Sequence, residues 1–345
     1  MNDDLDIRPL DLLDPEQEAA ARAWVGVHAA VQVDLFGEQG SAWTLEEIQG
    51  FHRSPTGRRV ARAAWVGDRL VGALEVRMPT ADNLDLALVW LSVHPDHRRH
   101  GLGDALLHAG ESIAEEHGRG TLMAETEWPE GSSDDAEGFA TRHGYSVGQT
   151  MLRSSMTLPA DRDVLAALAA PSVADDYAVE TFVDRMPEDW LADRAVLQQR
   201  MSTDAPTDDL ALEEEAWDVE RLRETHARTL ASGRRIIESA ARHVPTGRLV
   251  AFTTIGVSAG SPDLGFQQDT LVLREHRGHG LGLRLKAANA LRLMDELPEV
   301  SSIRTWNAAS NAYMLAVNRR LGYAVDGYSR EWQKAGRPRS GPAAG

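Results

Sequence analysis

The feature that most constrains this 345-residue chain is an internal repeat. The segment from Asp269 to Lys286 reads as the end of an apolar strand, a glycine-rich loop and the start of a leucine-rich helix. The segment from Val93 to Leu107 has the same pattern, and its Arg98 corresponds to Arg277 at an offset of 277 − 98 = 179 residues. Because the same strand–loop–helix motif occurs twice in a chain of this length, the sequence predicts two domains with similar folds.

The glycine-rich loops have the chemistry of a phosphate site. Glycines let the main chain come close to a ligand, and the free N–H groups of the loop and the first helical turn point in one direction. The spacing fits neither a Rossmann fingerprint nor a P-loop, because the glycines alternate and no Gly-Lys-Ser/Thr follows. The candidate ligand-binding residues are Arg277, Gly278, His279, Gly280, Leu281 and Gly282 in the second copy, and Arg98, Arg99, His100, Gly101, Leu102 and Gly103 in the first.

Composition excludes several classes of function. The chain has no cysteine, which excludes disulfides, thiolate metal sites and a cysteine nucleophile, so any group transfer is direct or uses another nucleophile. The formal charge of −17 argues against a surface that coats nucleic acid. No apolar run is long enough to span a bilayer, and the acidic start is unlike a secretory signal. We therefore expect a cytoplasmic protein without nucleic-acid or membrane partners.

The order of apolar and turn-forming segments predicts two domains and a linker. We expect an amino-terminal domain over 1–159, a linker rich in Ala and Asp over 160–176, a second domain over 177–334, and a flexible tail over 335–345. In each domain the pattern predicts an initial strand, two helices, a hairpin, the strand that leads into the glycine loop, and then helix, strand, helix and strand. Thr44, followed by Glu47, predicts a capping box at the start of a helix.

The motif Val-x-x-x-x-Arg-x-x-Gly-x-Gly at the end of a strand, at Val93 to Gly103 and again at Val272 to Gly282, resembles the acetyl-CoA-binding motif of the GNAT N-acetyltransferase superfamily. Two copies make the chain similar to a tandem GNAT, an arrangement shared with mycothiol synthases. The resemblance implies an α/β (α+β) fold with two GNAT-like domains, each a mixed, mostly antiparallel sheet flanked by helices. It also implies acetyl-CoA as co-substrate, without a metal.

The resemblance also assigns roles to particular residues. The CoA pyrophosphate would lie on the N–H groups of residues 277–282, and the main chain of Val272 and Leu273 would pair with the pantetheine arm. Asn311 falls on the family's CoA-contacting asparagine, and Asn307 is a further candidate for the cofactor or acceptor pocket. Asn318 stands where many members carry the tyrosine that protonates the leaving thiolate, so the general acid is open. Tyr313 and Tyr328 are candidate replacements.

The two halves differ outside the loop, which favours the second as the catalytic one. Three residues before the motif valine, where the family often has an acidic residue, the second half has Asp269 and the first has Trp90. Asp269 is therefore the candidate general base, and Glu238 on the neighbouring strand competes with it. The first half would bind CoA through Val93 and its loop without turnover, or serve mainly as a partner surface.

The leading hypothesis is an acetyl-CoA-dependent N-acetyltransferase that acts on a primary amine of a small molecule, as a monomer or homodimer. Two alternatives stay open: a non-catalytic CoA-binding sensor, and a mycothiol-synthase-like acetyltransferase. We expect residues 32–51 and 201–215 to line the acceptor side. The sequence does not identify the acceptor, the preferred acyl chain or the oligomeric state.

Overall fold

The computed structural model describes residues 5–171 and 175–335. Residues 172–174 of the predicted linker and residues 336–345 of the predicted tail lie outside this range. The helices are α1 (Glu18–Phe36), α2 (Leu45–His52), α3 (Leu102–Glu116), α4 (Glu137–Arg142), α5 (Arg162–Ala169), α6 (Leu191–Asp204), α7 (Val219–Ala231), α8 (Leu281–Glu296) and α9 (Ala312–Leu321). The strands are β1 (Leu5–Leu10), β2 (Gly57–Val66), β3 (Arg69–Pro79), β4 (Leu86–Val93), β5 (Thr121–Pro129), β6 (Ser146–Thr157), β7 (Tyr177–Val183), β8 (Arg235–His243), β9 (Arg248–Ser258), β10 (Ser261–Val272), β11 (Ser302–Ala308) and β12 (Ala324–Ala335).

The chain forms two compact units whose boundaries differ from the two continuous halves expected from the sequence. Over the described residues, the first unit falls within Met1–Thr150, Asp209–Leu212 and Tyr328–Gly345. The second falls within Met151–Asp208 and Glu213–Gly327. The last strand, β12, therefore contributes most of its length to the first unit, and most of β6 belongs to the second.

The first unit is a sheet with the order β1-β2-β3-β4-β5-β12 and helices on both faces. Strands β1 to β4 pair antiparallel, whereas β4 and β5 pair parallel. Successive side chains of a strand point to opposite faces, so β2 and β3 bury one set against α1 and the other against α3. Ala63 and Ala73 pack with Trp24 of α1, whereas Ala64 and Leu74 pack on the other face, in the core that holds the buried residues of α3.

The second unit has the order β6-β11-β10-β9-β8-β7 and the same arrangement of layers. Its pairs are antiparallel except for β10–β11, which is parallel. Helix α8 packs on one face against Ile237 and Ile255, and α6 packs on the other, where Leu197 contacts Phe252. The mixed, mostly antiparallel α/β fold predicted from the sequence is confirmed in both units.

Two local predictions can be compared directly with the structure. The capping box is present: the Thr44 hydroxyl accepts from the N–H of Glu47, and the Glu47 carboxylate accepts from the N–H of Thr44. The predicted linker, however, is partly helical. Asp161 caps α5 by accepting from two main-chain N–H groups, and Leu165 is buried in the core that also contains residues of α8. The Ala-rich composition that suggested a linker instead favours a short helix.

Removing the buried contact of α5 will destabilise the second unit. We expect Leu165→Ala to lower the free energy of unfolding by about 2–4 kcal/mol, because it deletes buried methyl groups and leaves a cavity. Val164→Ala is the matched control, since Val164 is 50% exposed and should change stability by less than about 0.5 kcal/mol. Urea denaturation measures both. Equal effects of the two substitutions would show that α5 does not belong to the core.

Candidate active sites

Both glycine loops turn sharply between the strand and the helix. Gly101 precedes α3 with φ +83°, and Gly280 precedes α8 with φ +70°. This left-handed conformation favours glycine because a side chain would clash with the main chain. At the matching position two residues earlier, Arg99 has φ +66° and Gly278 has φ +89°. The backbone path of the predicted loop thus occurs twice.

The loops are open in front of these glycines. A Cβ atom added at Gly101, Gly278 or Gly280 would meet no atom within 4 Å. The first N–H groups of a helix have no partner within the helix, so the loops present free donors and the positive end of the helix dipole. This arrangement suits an anion. By contrast, the predicted binding residues Leu102 and Leu281 point their side chains into the core and offer only main-chain groups.

The remaining loop residues have local contacts. His100 and His279 are exposed, and the ring of His279 lies 5.0 Å from that of Tyr177. A Cβ atom at Gly103 would lie 3.4 Å from the Phe139 ring, and one at Gly282 would lie 3.9 Å from Val272. The second glycine of each motif therefore lies against the protein rather than open space.

The parallel strand pair next to each loop separates after three residues. In the second unit, β10 and β11 pair only from Leu264 to Phe266, although β10 continues to Val272 and β11 to Ala308. In the first unit, β4 and β5 pair only from Leu86 to Leu88. The later residues of β4 and β10 thus have no sheet partner on this side. Their main-chain groups are available to an extended ligand, as in β-augmentation.

The two predicted pantetheine-pairing residues differ in the direction of their N–H groups. Leu273 donates its N–H to Val250 of β9 at 3.0 Å, so this group faces away from the opening. Because N–H groups alternate in direction along a strand, that of Val272 faces the opening. The first unit repeats this arrangement, with His94 donating to Val71. Val272 and Val93, rather than Leu273, can therefore offer a main-chain donor to a ligand.

The motif arginines make the same contacts in both units. Arg277 donates from Nε to the main-chain oxygen of Val272 at 3.1 Å and pairs with Asp204 at the end of α6 at 2.9 Å. Arg98 donates to Val93 at 3.4 Å and pairs with Asp34 of α1 at 2.7 Å. Each arginine thus connects a strand end to a helix. The acidic partners were missed from the sequence because they do not share the offset of 179.

Asp269 lies at a β-bulge on the edge of the second opening. The register of β10 with β9 shifts by one residue between Gln267 and Thr270, whereas β3 and β4 pair without a shift. The carboxylate is half-buried and accepts from Nε2 of Gln198 on α6 at 3.0 Å. Glu238, the competing candidate base, is buried and bound by Arg194 at 2.8 Å and by Thr254 at 2.9 Å. These contacts favour a structural role for Glu238.

A chain of polar side chains lies beside the same opening. Lys286 of α8 donates to Oδ1 of Asn318 on α9 at 2.6 Å, and Nδ2 of Asn318 donates to Oδ1 of Asn307 on β11 at 2.6 Å. Burial lowers the pKa of Lys286 to about 7. Asn311 caps α9 by accepting from the N–H of Met314 at 3.1 Å. Lys286 was missed, although a lone lysine in a leucine-rich helix pattern was a visible signal.

Neither tyrosine proposed as a replacement acid is well placed for that role. Tyr313 is 60% exposed, and Tyr328 belongs to the first unit, where its ring stacks on Trp128 at 5.5 Å. A hydrogen bond to Glu130 raises the pKa of Tyr328. Asn318 cannot donate a proton in the way that a tyrosine can.

The first unit has a different side-chain set at its opening. Trp90 stacks on His28 of α1 with ring centroids 3.6 Å apart, and Nδ1 of His28 lies 2.8 Å from the Ser92 hydroxyl. Glu125 and Glu127 both lie on β5. Removal from bulk water, together with the charge of Glu127, raises the pKa of Glu125 to about 7. This unit therefore contains a carboxyl group whose pKa is raised toward neutral pH, as is common at functional sites.

Within residues 5–171 and 175–335, no group of three or more His, Asp or Glu side chains is arranged to hold a metal ion. No helix of this described part is long and apolar enough to cross a membrane.

The buried Lys286 will make stability depend on pH. Its pKa is about 7 in the folded protein and 10.5 when exposed, so between these values the unfolded chain binds a proton that the folded protein has released. We expect the free energy of unfolding of the wild type, relative to Lys286→Met, to rise from pH 7 to pH 10. Urea denaturation at several pH values measures this difference.

The titration of Lys286 can also be followed directly. The chain has two lysines, Lys286 and Lys334, so lysine-labelled protein gives two side-chain NMR signals, which Lys334→Met assigns. A Lys286 signal that titrates at 10.5 would contradict the predicted pH dependence.

Comparison with known proteins agrees with this geometry. Residues 24–145 match the family model described as Acetyltransferase (GNAT) family. A mycothiol acetyltransferase of Parafrankia sp. (strain EAN1pec) is 35% identical over 112 residues, which is 30% of each chain. The match thus spans less than a third of that curated relative.

Solved structures extend the similarity to nearly the whole chain. A tandem GNAT protein from the clavulanic acid biosynthesis pathway superposes with a TM-score of 0.79 and 27% identity, over 97% of this chain and 99% of that one. A GCN5-related N-acetyltransferase from Sphaerobacter thermophilus gives 0.69 and 19% identity over 97% of each, which supports the fold alone. Residues 24–145 are therefore similar to the GNAT acetyltransferase family, and the chain has the fold of a tandem GNAT protein.

Proposed function

We propose that the protein is an acetyl-CoA-dependent N-acetyltransferase that transfers an acetyl group directly to the primary amine of a small molecule. The observation that carries this proposal is the conjunction, in each unit, of an open glycine loop with a separated parallel strand pair. The loop offers main-chain N–H groups to a diphosphate. The separated strand offers an edge to an extended amide-containing arm. CoA has both parts in one molecule.

In the second unit, the residues present fit acetyl-CoA. The diphosphate would contact the N–H groups around Gly280 and the start of α8. The pantetheine arm would run along β10, where the N–H of Val272 faces the opening. Asn311 and Asn307 supply side-chain amides beside the same opening. The arm would thereby bring the thioester close to Asp269.

The chemistry requires no covalent enzyme intermediate. Acetyl-CoA supplies the acyl group and a thiolate leaving group: the acceptor nitrogen forms the C–N bond, the C–S bond breaks, and the surplus amine proton is passed on to the thiolate. Asp269 would take that proton first, directly or through water. Its hydrogen bond from Gln198 would hold the carboxylate in place.

We assign turnover to the second unit, and the first unit is the alternative. The bulge that carries Asp269 favours the second. Glu125, with a pKa of about 7, favours the first, and so does the family match to residues 24–145. The similarity to a mycothiol acetyltransferase covers too little of either chain to transfer its acceptor to this protein.

A matched pair of glycine substitutions will identify the active unit. Gly280→Val and Gly101→Val each introduce a side chain at a left-handed position that faces open space, so the cost to each loop should be similar. We expect Gly280→Val to reduce acetyl transfer at least 100-fold and Gly101→Val to leave most of it. Thiol release over an amine panel reports turnover, and melting temperatures report folding.

The other outcomes of this experiment are equally informative. Loss of activity in Gly101→Val alone would assign turnover to the first unit. CoA binding by the wild type without thiol release for any amine would contradict the transferase and favour a sensor.

Replacing the candidate base will separate chemistry from binding. Asp269→Asn keeps the size of the side chain but removes its ability to take a proton. We expect kcat to fall about 10²–10⁴-fold while the dissociation constant of CoA, measured by calorimetry, changes less than about threefold. Unchanged kcat would exclude Asp269 as the base. Glu238→Gln is the control, and its main effect should be on stability because it breaks a buried ion pair with Arg194.

A further inference from the structure

Two hydrogen bonds link the side chains of Lys286, Asn318 and Asn307 in series. The chemistry of lysine determines which group of each pair is the donor and which is the acceptor. The ammonium form of lysine has only donors, so its Nζ must face an oxygen, and Oδ1 of Asn318 lies 2.6 Å away. The amide nitrogen of Asn318 must then point away from the lysine. It donates to Oδ1 of Asn307 at 2.6 Å, so the oxygen of Asn307 is engaged too. One ammonium thus determines which way round both carboxamides lie.

The consequence appears at Asn307. Its Nδ2 group donates to no partner among the described residues. Asn307 lies on β11 beyond Arg304, the last residue of that strand paired with β10. The half-buried side chain of Asn307 therefore presents N–H donors, rather than an oxygen, where β10 and β11 separate. Such a group suits a ligand oxygen that accepts hydrogen bonds.

The position of Lys286 is costly for the fold. Its side chain is 2% exposed, and none of the described carboxylates pairs with it. Besides Asn318, its contact is the ring of Tyr323, whose centroid lies 5.2 Å from Nζ. Burying a charged group without a counter-ion costs free energy that an apolar residue of similar size in α8 would not cost. Residues that break the packing pattern in this way commonly serve a site.

We propose that Lys286 is a positioning residue which, acting through Asn318, holds the carboxamide of Asn307 so that its N–H groups donate to a carbonyl oxygen of the acyl-thioester arm. This inference rests on the proposed function, because it takes an acyl-CoA as the ligand in the second unit. It adds a role for a helix residue that need not touch the ligand.

A double-mutant cycle tests this role. We expect Asn307→Ala to weaken acetyl-CoA binding about three- to tenfold, as for the loss of one hydrogen bond. Lys286→Met should weaken it to a similar extent, and the double variant should be no weaker than either single variant, since the lysine acts only through the asparagine. Lys286→Arg keeps a donor-only side chain and should restore most of the affinity. Calorimetry measures binding, and melting temperatures report folding.

Lys334→Met is the matched control. Lys334 lies in the first unit, with Nζ 5.3 Å from the centroid of the Tyr145 ring, but it pairs with Glu111 instead of a carboxamide. It should leave acetyl-CoA affinity within about twofold of wild type, because Lys334 takes no part in the hydrogen bonds that hold Asn307. Additive effects of Lys286→Met and Asn307→Ala, or no effect of Lys286→Met, would overturn the proposal.

A second measurement needs no ligand. In asparagine-labelled protein, Asn307→Ala identifies the Asn307 side-chain amide signals, and Lys286→Met should shift or broaden them while Lys334→Met does not. Unmoved signals would overturn the proposal even if the enzyme is active. Wild-type protein that binds no acetyl-CoA would instead contradict the proposed function, so the two failures are distinguishable.

Discussion

The separation of two parallel strands after three paired residues is the constraint on which the candidate site depends. A buried main-chain donor or acceptor without a partner costs free energy, so a strand that loses its neighbour must find other partners. Side chains satisfy two of the main-chain oxygens of β10. The Thr305 hydroxyl donates to the oxygen of Gln267, and Arg277 donates to that of Val272. The N–H of Val272 remains for a ligand. The opening is thus a consequence of the fold, and it sits beside the glycine loop because both follow the same strand.

The sequence predicted the features that depend on local pattern. The two loops, the hairpins and the Thr44 capping box could be found because glycine at a left-handed turn, alternating apolar residues and side-chain caps leave marks within a few residues. The repeat at an offset of 179 residues supports the assignment of each glycine loop as a binding loop more strongly than one copy would. The two-domain arrangement followed from this repeat, and the mixed α/β fold followed from the order of the elements together with the resemblance to the GNAT superfamily.

The features that failed to appear in the sequence are those set by distant contacts. The N–H of Leu273 donates to the main-chain oxygen of Val250. A sequence motif cannot reveal this bond, because the direction of a main-chain group depends on the register with the neighbouring strand. The partners of the motif arginines, Asp34 and Asp204, lie at helix positions that do not repeat. The helix around Leu165 was hidden by an Ala-rich composition that linkers share. The pKa of Lys286 likewise depends on burial that only the folded structure defines.

The exchange of the last strand has a consequence for dissecting this protein. Residues 328–335 of β12 belong to the first unit, and residues 151–157 of β6 belong to the second. A gene cut anywhere between 160 and 176 would therefore produce two fragments that each lack a strand of their own sheet, with an unpaired edge prone to aggregation. Separate domains would have to be obtained by grafting each missing strand back onto its own fragment.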